Sequence, residues 1–362
     1  MAKGKRIISI ILLTPLSYVY GAIVYVRNKM FDWGLLKQTK FSIPVVSIGN
    51  IAIGGTGKTP HTEYLISILQ DRYRIAVLSR GYKRKTTGFI LASPNSSPLD
   101  IGDEPYQIYH KFGQKIAVAV CENRVIGINR LLAVDPSINL VLLDDAFQHR
   151  YVKPTVSIVL TEYNRPFFND RLLPLGHLRE SRQSVWQRAD IVIATKCPSE
   201  MKPLDFKLFK KHLDLFPSQK LFFSKLQYGT PMPVFPDMAK YTPTLSILNG
   251  SDTILAITGI ANPTPFVRYL KTFNANVKVM HFPDHHNFSR TDIDDITDAF
   301  NSLSGRYKLI LTTEKDAVRI AGNPYYPFEL RQHTFLQPIN VAFIGKLADT
   351  FESTLISLIE KK

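Results

Sequence analysis

The sequence predicts an α/β fold: a mainly parallel sheet covered by helices, a second, smaller α/β lobe, and an N-terminal helix. Three observations support this fold class. A glycine-rich run follows the apolar stretch 44–48 and precedes a helical pattern, a second apolar run at 139–143 ends in two aspartates, and apolar runs alternate with helical patterns through the middle of the chain. Such alternation is typical of parallel strands joined by crossover helices.

The glycine-rich run consists of Gly54, Gly55, Thr56, Gly57, Lys58 and Thr59. Glycines let the backbone approach phosphate oxygens, and the N-terminus of the following helix offers N–H donors and a positive dipole. A lysine in this position neutralises phosphate charge, and a threonine hydroxyl can bind Mg²⁺. The run therefore predicts a P-loop. The alternative is a glycine turn that happens to precede a helix.

The second apolar run, 139–143, is followed by Asp144 and Asp145. A continuous apolar run predicts a buried parallel strand, and α/β sheets place their ligands at the carboxyl ends of such strands. A carboxylate there can hold the Mg²⁺ that bridges nucleotide phosphates. Together with the glycine-rich run, the two aspartates predict a nucleoside triphosphate site.

Composition limits the class of protein. The 362 residues suffice for two domains, and 45% hydrophobic with 21% charged residues is ordinary for a globular chain. Two cysteines, Cys121 and Cys197, are too few for a disulfide framework or a Cys-rich metal site, and they favour a reducing compartment. The net charge of +15 predicts an anionic partner: nucleic acid, anionic lipid or a phosphorylated substrate.

Basic residues flank an uncharged stretch, 7–26, near the N-terminus. A helix of that length would span about 30 Å, enough to cross a bilayer. However, the stretch contains Pro15, and Thr14, Ser17 and Gly21 fall on one helical face. This pattern favours an amphipathic helix that lies in the membrane interface or packs partly on the protein. A membrane span, a buried core helix and a secretory signal are the alternatives.

Apolar runs and helical patterns predict the elements in order. In the first lobe we expect strands at 44–48, 75–79, 116–120, 139–143, 156–160 and 190–194, and helices at 58–70, 103–112, 122–133 and 182–188. Residues 201–250, rich in Phe, Pro and Lys, predict a connector with short strands. The smaller lobe is predicted to have strands at 254–258, 276–281 and 308–312, and helices at 263–273 and 290–303. Ser289 and Asp292 predict a capping box for the last helix.

The predicted organisation is thus an N-terminal membrane-associated helix in 1–40, a P-loop core in 41–215, and a second lobe with its connector in 216–362. The glycine-rich loop departs from the standard P-loop pattern because Ala52 stands where the first glycine is expected. The full segment 47–60, SIGNIAIGGTGKTP, closely resembles the loop of the tetraacyldisaccharide 4'-kinases, the membrane-associated lipid A kinases of Gram-negative bacteria.

The resemblance extends along most of the chain. Further motifs of that family occur in the same order: PLSYVYG at 15–21, LSRGY at 78–82, GDEP at 102–105, LDDAFQH at 143–149, LLP at 172–174, LRE at 178–180, FPDH at 282–285 and TEKDA at 313–317. Motifs in this number and order identify the family far more specifically than any one of them does.

The resemblance implies transfer of the ATP γ-phosphate to the 4'-hydroxyl of tetraacyldisaccharide 1-phosphate, giving lipid IVA. A sugar hydroxyl is a poor nucleophile near neutral pH, so a general base should lie within hydrogen-bond reach. By resemblance, Asp103 is that base and His285, from the other lobe, orients it. The alternative for Asp103 is a helix cap.

The resemblance also assigns the binding residues. It places the ATP phosphates against the loop, with Lys58 on the β- and γ-phosphates: Ala52, Ile53, Gly54, Gly55, Thr56, Gly57, Lys58 and Thr59. It gives Mg²⁺ to Thr59 and Asp144, with Asp145 and Glu104 as further metal candidates. It assigns the lipid substrate to Arg80, Tyr82, Arg124, His149, Arg179 and Glu180, where Glu180 orients one of the arginines. A structural role for His149 and surface ion pairs for the arginines are the alternatives.

Two other function classes remain. A membrane-tethered P-loop switch needs only an activated water, and does not need Asp103 with His285. A nucleic-acid-binding protein is suggested by charge, although the sequence has no recognised nucleic-acid module. By resemblance we expect a peripheral or monotopic enzyme on the cytoplasmic face of the bacterial inner membrane. Its expected partners are the lipid substrate and the membrane surface, without nucleic acid or a required protein partner.

Overall fold

The structure is a computed structural model that describes residues 2–239, 242–284, 286–345 and 347–361. The side chains of residues 2–11 and 347 are not described. The described residues form twelve α-helices and fourteen strands. The helices are α1 (Ala2–Asp32), α2 (Lys58–Leu69), α3 (Pro98–Ile101), α4 (Asp103–Phe112), α5 (Arg124–Val134), α6 (Gln183–Arg188), α7 (Pro203–Leu213), α8 (Thr264–Leu270), α9 (Arg290–Asn301), α10 (Glu314–Ala321), α11 (Phe328–Arg331) and α12 (Leu347–Glu360). The strands are β1 (Val45–Asn50), β2 (Ile75–Ser79), β3 (Ile90–Leu91), β4 (Ala117–Val120), β5 (Leu140–Asp144), β6 (Val156–Glu162), β7 (Ile191–Thr195), β8 (Lys220–Tyr228), β9 (Met232–Pro233), β10 (Thr253–Thr258), β11 (Asn276–His281), β12 (Lys308–Thr313), β13 (Thr334–Gln337) and β14 (Ile339–Phe343).

The chain forms two compact units. The first comprises Met1–Ser96, Ile108–Leu226 and Val341–Lys362, and the second comprises Ser97–Gln107 and Gln227–Asn340. This division differs from the expected boundaries, because residues 1–40 and 216–226 also belong to the first unit. Residues 97–107, expected in the P-loop core, belong to the second unit, and the C-terminal segment, expected in the second lobe, belongs to the first.

The first unit is built on a nine-stranded sheet with the strand order β14-β8-β7-β6-β1-β5-β2-β4-β3. Its central strand β1 pairs in parallel with β5 and β6, and β3 runs antiparallel to β4 at one edge. Every residue of β1, β2 and β5 is buried, as expected for parallel strands covered on both faces. Apolar side chains of β1, β5 and β6 pack against Leu65 and Leu69 of α2, and each such buried side chain stabilises the fold by about 1.5–3 kcal/mol.

The second unit is built on a five-stranded sheet with the strand order β11-β10-β12-β13-β9. Its strands are parallel except for β9, which is antiparallel to β13. Leu255, Ile257 and Ile310 of the sheet pack against Ile293 and Ile296 of α9. The predicted fold class, a mainly parallel α/β core with a smaller α/β lobe, is therefore confirmed.

Most predicted elements lie within two residues of the observed ones, and the capping box of Ser289 and Asp292 at the start of α9 is confirmed. The connector prediction is wrong at 203–213, which form α7, because Pro203 begins a helix and Phe209 and Leu213 are buried. No elements were predicted after 312, where the chain forms α10, α11, β13, β14 and α12. There β14 joins the first sheet, and Phe351 and Leu355 of α12 enter its core.

The side of α1 that carries small residues packs on the first unit. Ser17 Oγ donates to the carbonyl of Leu172 at 2.9 Å, and the Tyr20 hydroxyl donates to the carbonyl of Arg179 at 2.9 Å. A Cβ at Gly21 would lie 2.8 Å from Leu172 Cδ1, so the helix packs closely against Leu172 at this point. The face of Ser17 and Gly21 noted in the sequence is thus the docked face.

The other side of α1 exposes a row of apolar side chains, which we call the α1 stripe. Its members recur at helical spacing and are each more than half exposed: Leu12, Leu16, Val19, Ile23 and Val26. Exposed apolar patches of this kind mark sites that bind another protein, a membrane or a ligand. Within the described residues, no helix is both long and apolar enough to cross a membrane.

Candidate active site

The glycine-rich loop connects β1 to α2 in the first unit. Gly54 and Gly57 have φ angles of 114° and 87°, a region that favours glycine. A Cβ at Gly54 would lie 2.8 Å from Arg165 Nη2, whereas one at Gly55 would meet nothing within 4 Å. Gly57 is the N-cap residue of α2, and no side chain accepts a hydrogen bond at this cap. The N–H groups in the first turn of any helix lack an acceptor within the helix itself. The loop therefore presents backbone donors beside open space.

Neighbouring strands hold this loop in place. Asn50 Nδ2 donates to Thr56 Oγ1 at 2.8 Å, and Thr195 Oγ1, at the end of β7, donates to the Thr56 carbonyl at 2.8 Å. At the start of the loop, the Ile53 amide donates to the His177 carbonyl at 2.8 Å. Ala52 forms an isolated antiparallel bridge with Leu178. These contacts come from three separate parts of the first unit, so the loop conformation is set by the fold around it.

His61, in the first turn of α2, fixes the end of the loop and is not among the residues that the sequence predicts for the site. Its Nδ1 lies 2.7 Å from the Gly57 carbonyl and its Nε2 lies 2.9 Å from Ser224 Oγ. Burial lowers its pKa to about 4, so the ring is neutral at pH 7. Since a carbonyl can only accept, Nδ1–H donates to Gly57 and Nε2 accepts from Ser224. The distant partner Ser224 leaves no local sequence signal.

We expect His61→Gln to reduce the acid sensitivity of the fold. The folded-state pKa of about 4 lies below the ordinary 6.5, so unfolded chains bind more protons between these pH values. Stability is therefore lost as pH falls from 6.5 towards 4, by about 3 kcal/mol for this group. Glutamine keeps a donor and an acceptor but does not titrate. Urea unfolding of both proteins at pH 7 and pH 4 measures the difference; equal losses of unfolding free energy would contradict the prediction.

Two aspartates follow β5 beside the loop. Asp144 is buried, and its Oδ1 accepts a hydrogen bond of 3.1 Å from Thr62 Oγ1 of α2. Asp145 has a positive φ of 48°, and its Oδ1 lies 3.6 Å from Lys58 Nζ. The structure thus brings together the predicted phosphate-binding lysine, the first turn of α2 with Thr59, and both predicted carboxylates.

Arg124 begins α5 and is buried near these carboxylates. Its Nη1 donates to the carbonyls of Cys121 and Glu122 at 3.0 and 3.2 Å. Burial lowers the pKa of the guanidinium, and the charges of Asp144 and Asp145 oppose this shift. The side chain is therefore a buried cation facing the acidic end of β5, and it does not form an ordinary surface ion pair.

His149 takes a structural position next to Arg124. Its Nε2 accepts from the backbone amide of Arg124 at 3.3 Å, and its ring lies 5.6 Å from that of Tyr151. Burial, followed by the charges of Arg124, Arg27 and Arg80, lowers its pKa to about 4. The neutral ring carries no positive charge for a phosphate at pH 7.

Arg179 faces the site, whereas Glu180 faces away from it. Arg179 Nη1 donates to Asp145 Oδ1 at 3.3 Å and to Gln148 Oε1 at 3.4 Å. The buried Glu180 carboxylate accepts instead from Arg188 and, at 3.0 Å, from Asn28 Nδ2 of α1. The expectation that Glu180 orients Arg124 or Arg179 is therefore corrected. A buried carboxylate needs charged and polar partners, and Arg188 and Asn28 supply them.

Arg80 and Tyr82 lie in the turn after β2 and are exposed. Gly81 between them has a φ of 72°, and Tyr82 is 64% exposed with Lys83 Nζ 5.8 Å from its ring centroid. Both side chains lie on the surface of the first unit.

The predicted base belongs to the second unit. Asp103 begins α4 and accepts a hydrogen bond from Arg319 Nη2 of α10, and Glu104 follows it. His285 lies outside the described residues. The expectation that Asp103 belongs to the P-loop core is corrected, because residues 97–107 form one unit with 227–340 and the ion pair of Asp103 with Arg319 is one contact that ties them there.

The donor set beside the loop fits a phosphate-bound Mg²⁺. Within the described ranges, no group of three or more His, Cys, Asp or Glu side chains could hold a metal unaided. Mg²⁺ does not require such a group, because it is usually held by one or two carboxylates with phosphate oxygens and water. Asp144, Asp145 and the Thr59 hydroxyl are oxygen donors of the required kind, and Glu104 lies in the second unit.

Comparison with known proteins agrees with this architecture. A family model described as LpxK, tetraacyldisaccharide-1-P 4'-kinase, matches residues 9–359. The chain is 49% identical to the tetraacyldisaccharide 4'-kinase of Bacteroides thetaiotaomicron, over 96% of this chain and 93% of that protein. It is 42% identical to that of Flavobacterium johnsoniae, over 97% of each. The crystal structure of LpxK from Aquifex aeolicus in complex with ATP matches with a TM-score of 0.73 and 28% identity, over 96% of this chain and 98% of that one. The chain belongs to the tetraacyldisaccharide-1-P 4'-kinase family.

Proposed function

We propose that this protein transfers the γ-phosphate of ATP to the 4'-hydroxyl of tetraacyldisaccharide 1-phosphate, forming lipid IVA in lipid A biosynthesis. The observation that carries the proposal is the glycine-rich loop with Lys58 3.6 Å from Asp145, in a chain that the family model matches from residue 9 to 359. The Aquifex relative was crystallised with ATP, which supports ATP as the phosphate donor.

On the donor side, the loop 52–59 binds the ATP phosphates through its backbone amides. Lys58 exchanges Asp145 for the β- and γ-phosphates. Thr59 and Asp144 would hold Mg²⁺, with Asp145 and Glu104 as further metal candidates, and the ion would offset the negative charge that develops on the phosphate during transfer. His61 and Thr56 keep the loop in one conformation, because their partners lie in β7 and β8.

On the acceptor side, Asp103 takes the proton of the 4'-hydroxyl as that oxygen bonds to the γ-phosphorus. The bond between the γ-phosphorus and the bridging oxygen breaks, and ADP leaves with the electron pair. His285 orients the carboxylate and raises its basicity. A paired carboxylate base is needed because the free hydroxyl is a weak nucleophile at neutral pH.

The lipid is recognised by the cationic and aromatic side chains of the first unit. Arg80 and Tyr82 contact the disaccharide or its 1-phosphate from the exposed turn after β2. Arg124 and Arg179 contribute positive charge near Asp145, and the neutral His149 keeps Arg124 in place. Glu180 supports this side indirectly, since its buried carboxylate links Asn28 of α1 to Arg188.

The α1 stripe supports binding to the membrane surface. Its apolar side chains face away from the first unit, while the opposite face of α1 is docked. We place the protein as a peripheral or monotopic enzyme on the cytoplasmic face of the inner membrane, where a lipid acceptor and cytosolic ATP are both available. The reaction requires no protein partner.

We expect a triple variant of the α1 stripe, Leu16→Ser, Val19→Ser and Ile23→Ser, to weaken vesicle binding by about 10²-fold. Each side chain is more than half exposed, so transfer into an interface would contribute about 1 kcal/mol apiece. Sedimentation with vesicles that contain anionic phospholipid measures the binding. Leu204→Ser, at an equally exposed apolar position on α7, is the matched control. Equal sedimentation of the triple variant and the control would show that the stripe does not contact the membrane.

Thin-layer chromatography with γ-³²P-ATP and purified tetraacyldisaccharide 1-phosphate tests the function. The expected result is a labelled lipid that requires both the acceptor and Mg²⁺. ADP release that does not depend on the lipid, without labelled product, would support the rival membrane-tethered switch instead.

A further inference from the structure

Arg319 connects three segments of the second unit. Its Nη2 donates to Asp103 Oδ2 of α4, and its Nη1 donates to the carbonyl of His286 at 3.3 Å. The same Nη1 lies 3.6 Å from Asp316 Oδ1, one turn earlier on α10. The guanidinium is buried, so these contacts form away from bulk water, where charged hydrogen bonds are strong.

Asp316 holds the guanidinium from the opposite side. Its carboxylate is completely buried, and its Oδ2 accepts from the amide of Gly259 at 2.8 Å and from Thr313 Oγ1 at 2.7 Å. A Cβ at Gly259 would lie 2.8 Å from Asp316 Oδ1, so the glycine that follows β10 allows this close contact. Asp316 is thus fixed to the carboxyl ends of β10 and β12, and it fixes Arg319 in turn.

We propose that Arg319 is a positioning residue for phosphate transfer, which sets the orientation of the Asp103 carboxylate. The inference rests on the proposed function, in which Asp103 is the base. The planar guanidinium can serve the carboxylate, the His286 carbonyl and Asp316 together, whereas a lysine ammonium is a point charge without this fork.

A double-mutant cycle tests whether Arg319 acts through Asp103. We expect Arg319→Gln to lower kcat about 10²-fold, the size of loss that a misplaced catalytic group causes, with the KM for ATP unchanged. Added to Asp103→Asn, the same substitution should lower kcat by less than about 2-fold further, because its target is already removed. If the fold losses of kcat in the two single variants multiply in the double variant, the proposal is overturned, because Arg319 then acts independently of the Asp103 carboxylate.

Arg319→Lys distinguishes a loss of kcat caused by poor positioning from one caused by unfolding. It keeps the buried positive charge between Asp103 and Asp316, and we expect a Tm close to that of the wild type but a kcat at least about 10-fold lower. Arg331→Gln, on α11 of the same unit with its guanidinium 5.1 Å from the Phe235 ring centroid, is the control and should keep the wild-type kcat. Wild-type kcat in Arg319→Lys would overturn the positioning role alone. A wild-type protein that forms no labelled lipid would overturn the proposed function, and the inference with it.

Discussion

Asp103→Asn is expected to lower kcat for lipid phosphorylation about 10²–10⁴-fold, the usual contribution of a general base, while the affinity for ATP is nearly unchanged. Asparagine has the same shape but cannot accept the hydroxyl proton. It keeps an oxygen that can still accept from Arg319, so the fold of the second unit should survive. Single-turnover phosphorylation of the lipid measures kcat, and titration with a fluorescent ATP analogue measures nucleotide binding.

Asp100→Asn is the matched control for this substitution. Asp100 lies in the same segment of the second unit, and its carboxylate accepts from the amide of Ser97 at 2.8 Å as part of a capping box. Loss of that cap destabilises the segment by about 1 kcal/mol without removing a base, so kcat should change by less than about 3-fold. If both asparagine variants lose activity equally, the segment matters through its structure, and Asp103 is not the base.

Lys58→Gln is expected to lower kcat about 10²–10³-fold, the cost of removing one donor aimed at charge that develops in the transition state. The folded protein should lose little stability. The Lys58–Asp145 pair is 3.6 Å long and Asp145 is one-third exposed, which limits its contribution to about 0–1 kcal/mol. Asp145 also keeps its contact with Arg179.

Lys153→Gln is the control for the loss of one positive charge from the first unit. Lys153 is exposed and lies outside the glycine-rich loop. The kcat of this variant should equal that of the wild type when measured in detergent micelles. If Lys58→Gln retains more than a tenth of wild-type kcat, Lys58 does not neutralise the transferring phosphate.

The elements that could be predicted are those with a local signature. The apolar runs of β1, β2 and β5 are buried on both faces, so their composition alone identifies them. The α7 helix has a local signature, because Pro203 stands at its start and Asp205 caps it. The surrounding Phe, Pro and Lys residues nevertheless favour a connector. The return of β14 to the first sheet has no local signature, because it depends on pairing with β8, far away in the chain.

The residues of the candidate site also differ in whether the local sequence reveals them. Lys58, Asp144 and Asp145 follow from a glycine-rich run and from a strand that ends in carboxylates. The partners that hold them do not: His61 meets Ser224 at a separation of 163 residues, and Glu180 meets Asn28 at 152. Side-chain pairs of this kind arise only when the sheet is assembled, so the sequence does not reveal that Glu180 pairs with Arg188 and Asn28 and not with Arg124 or Arg179.

The C-terminal helix α12 has a consequence for biosynthesis. Phe351 and Leu355 of α12 share a core with Leu65 and Leu69 of α2, the helix that begins at the glycine-rich loop. Translation delivers these residues after the whole second unit, so α2 leaves the ribosome long before its packing partners in α12 are made. The nascent chain therefore completes the core behind its phosphate loop late in synthesis, and a truncation within α12 would open that core although the lost residues lie far from the loop in the chain.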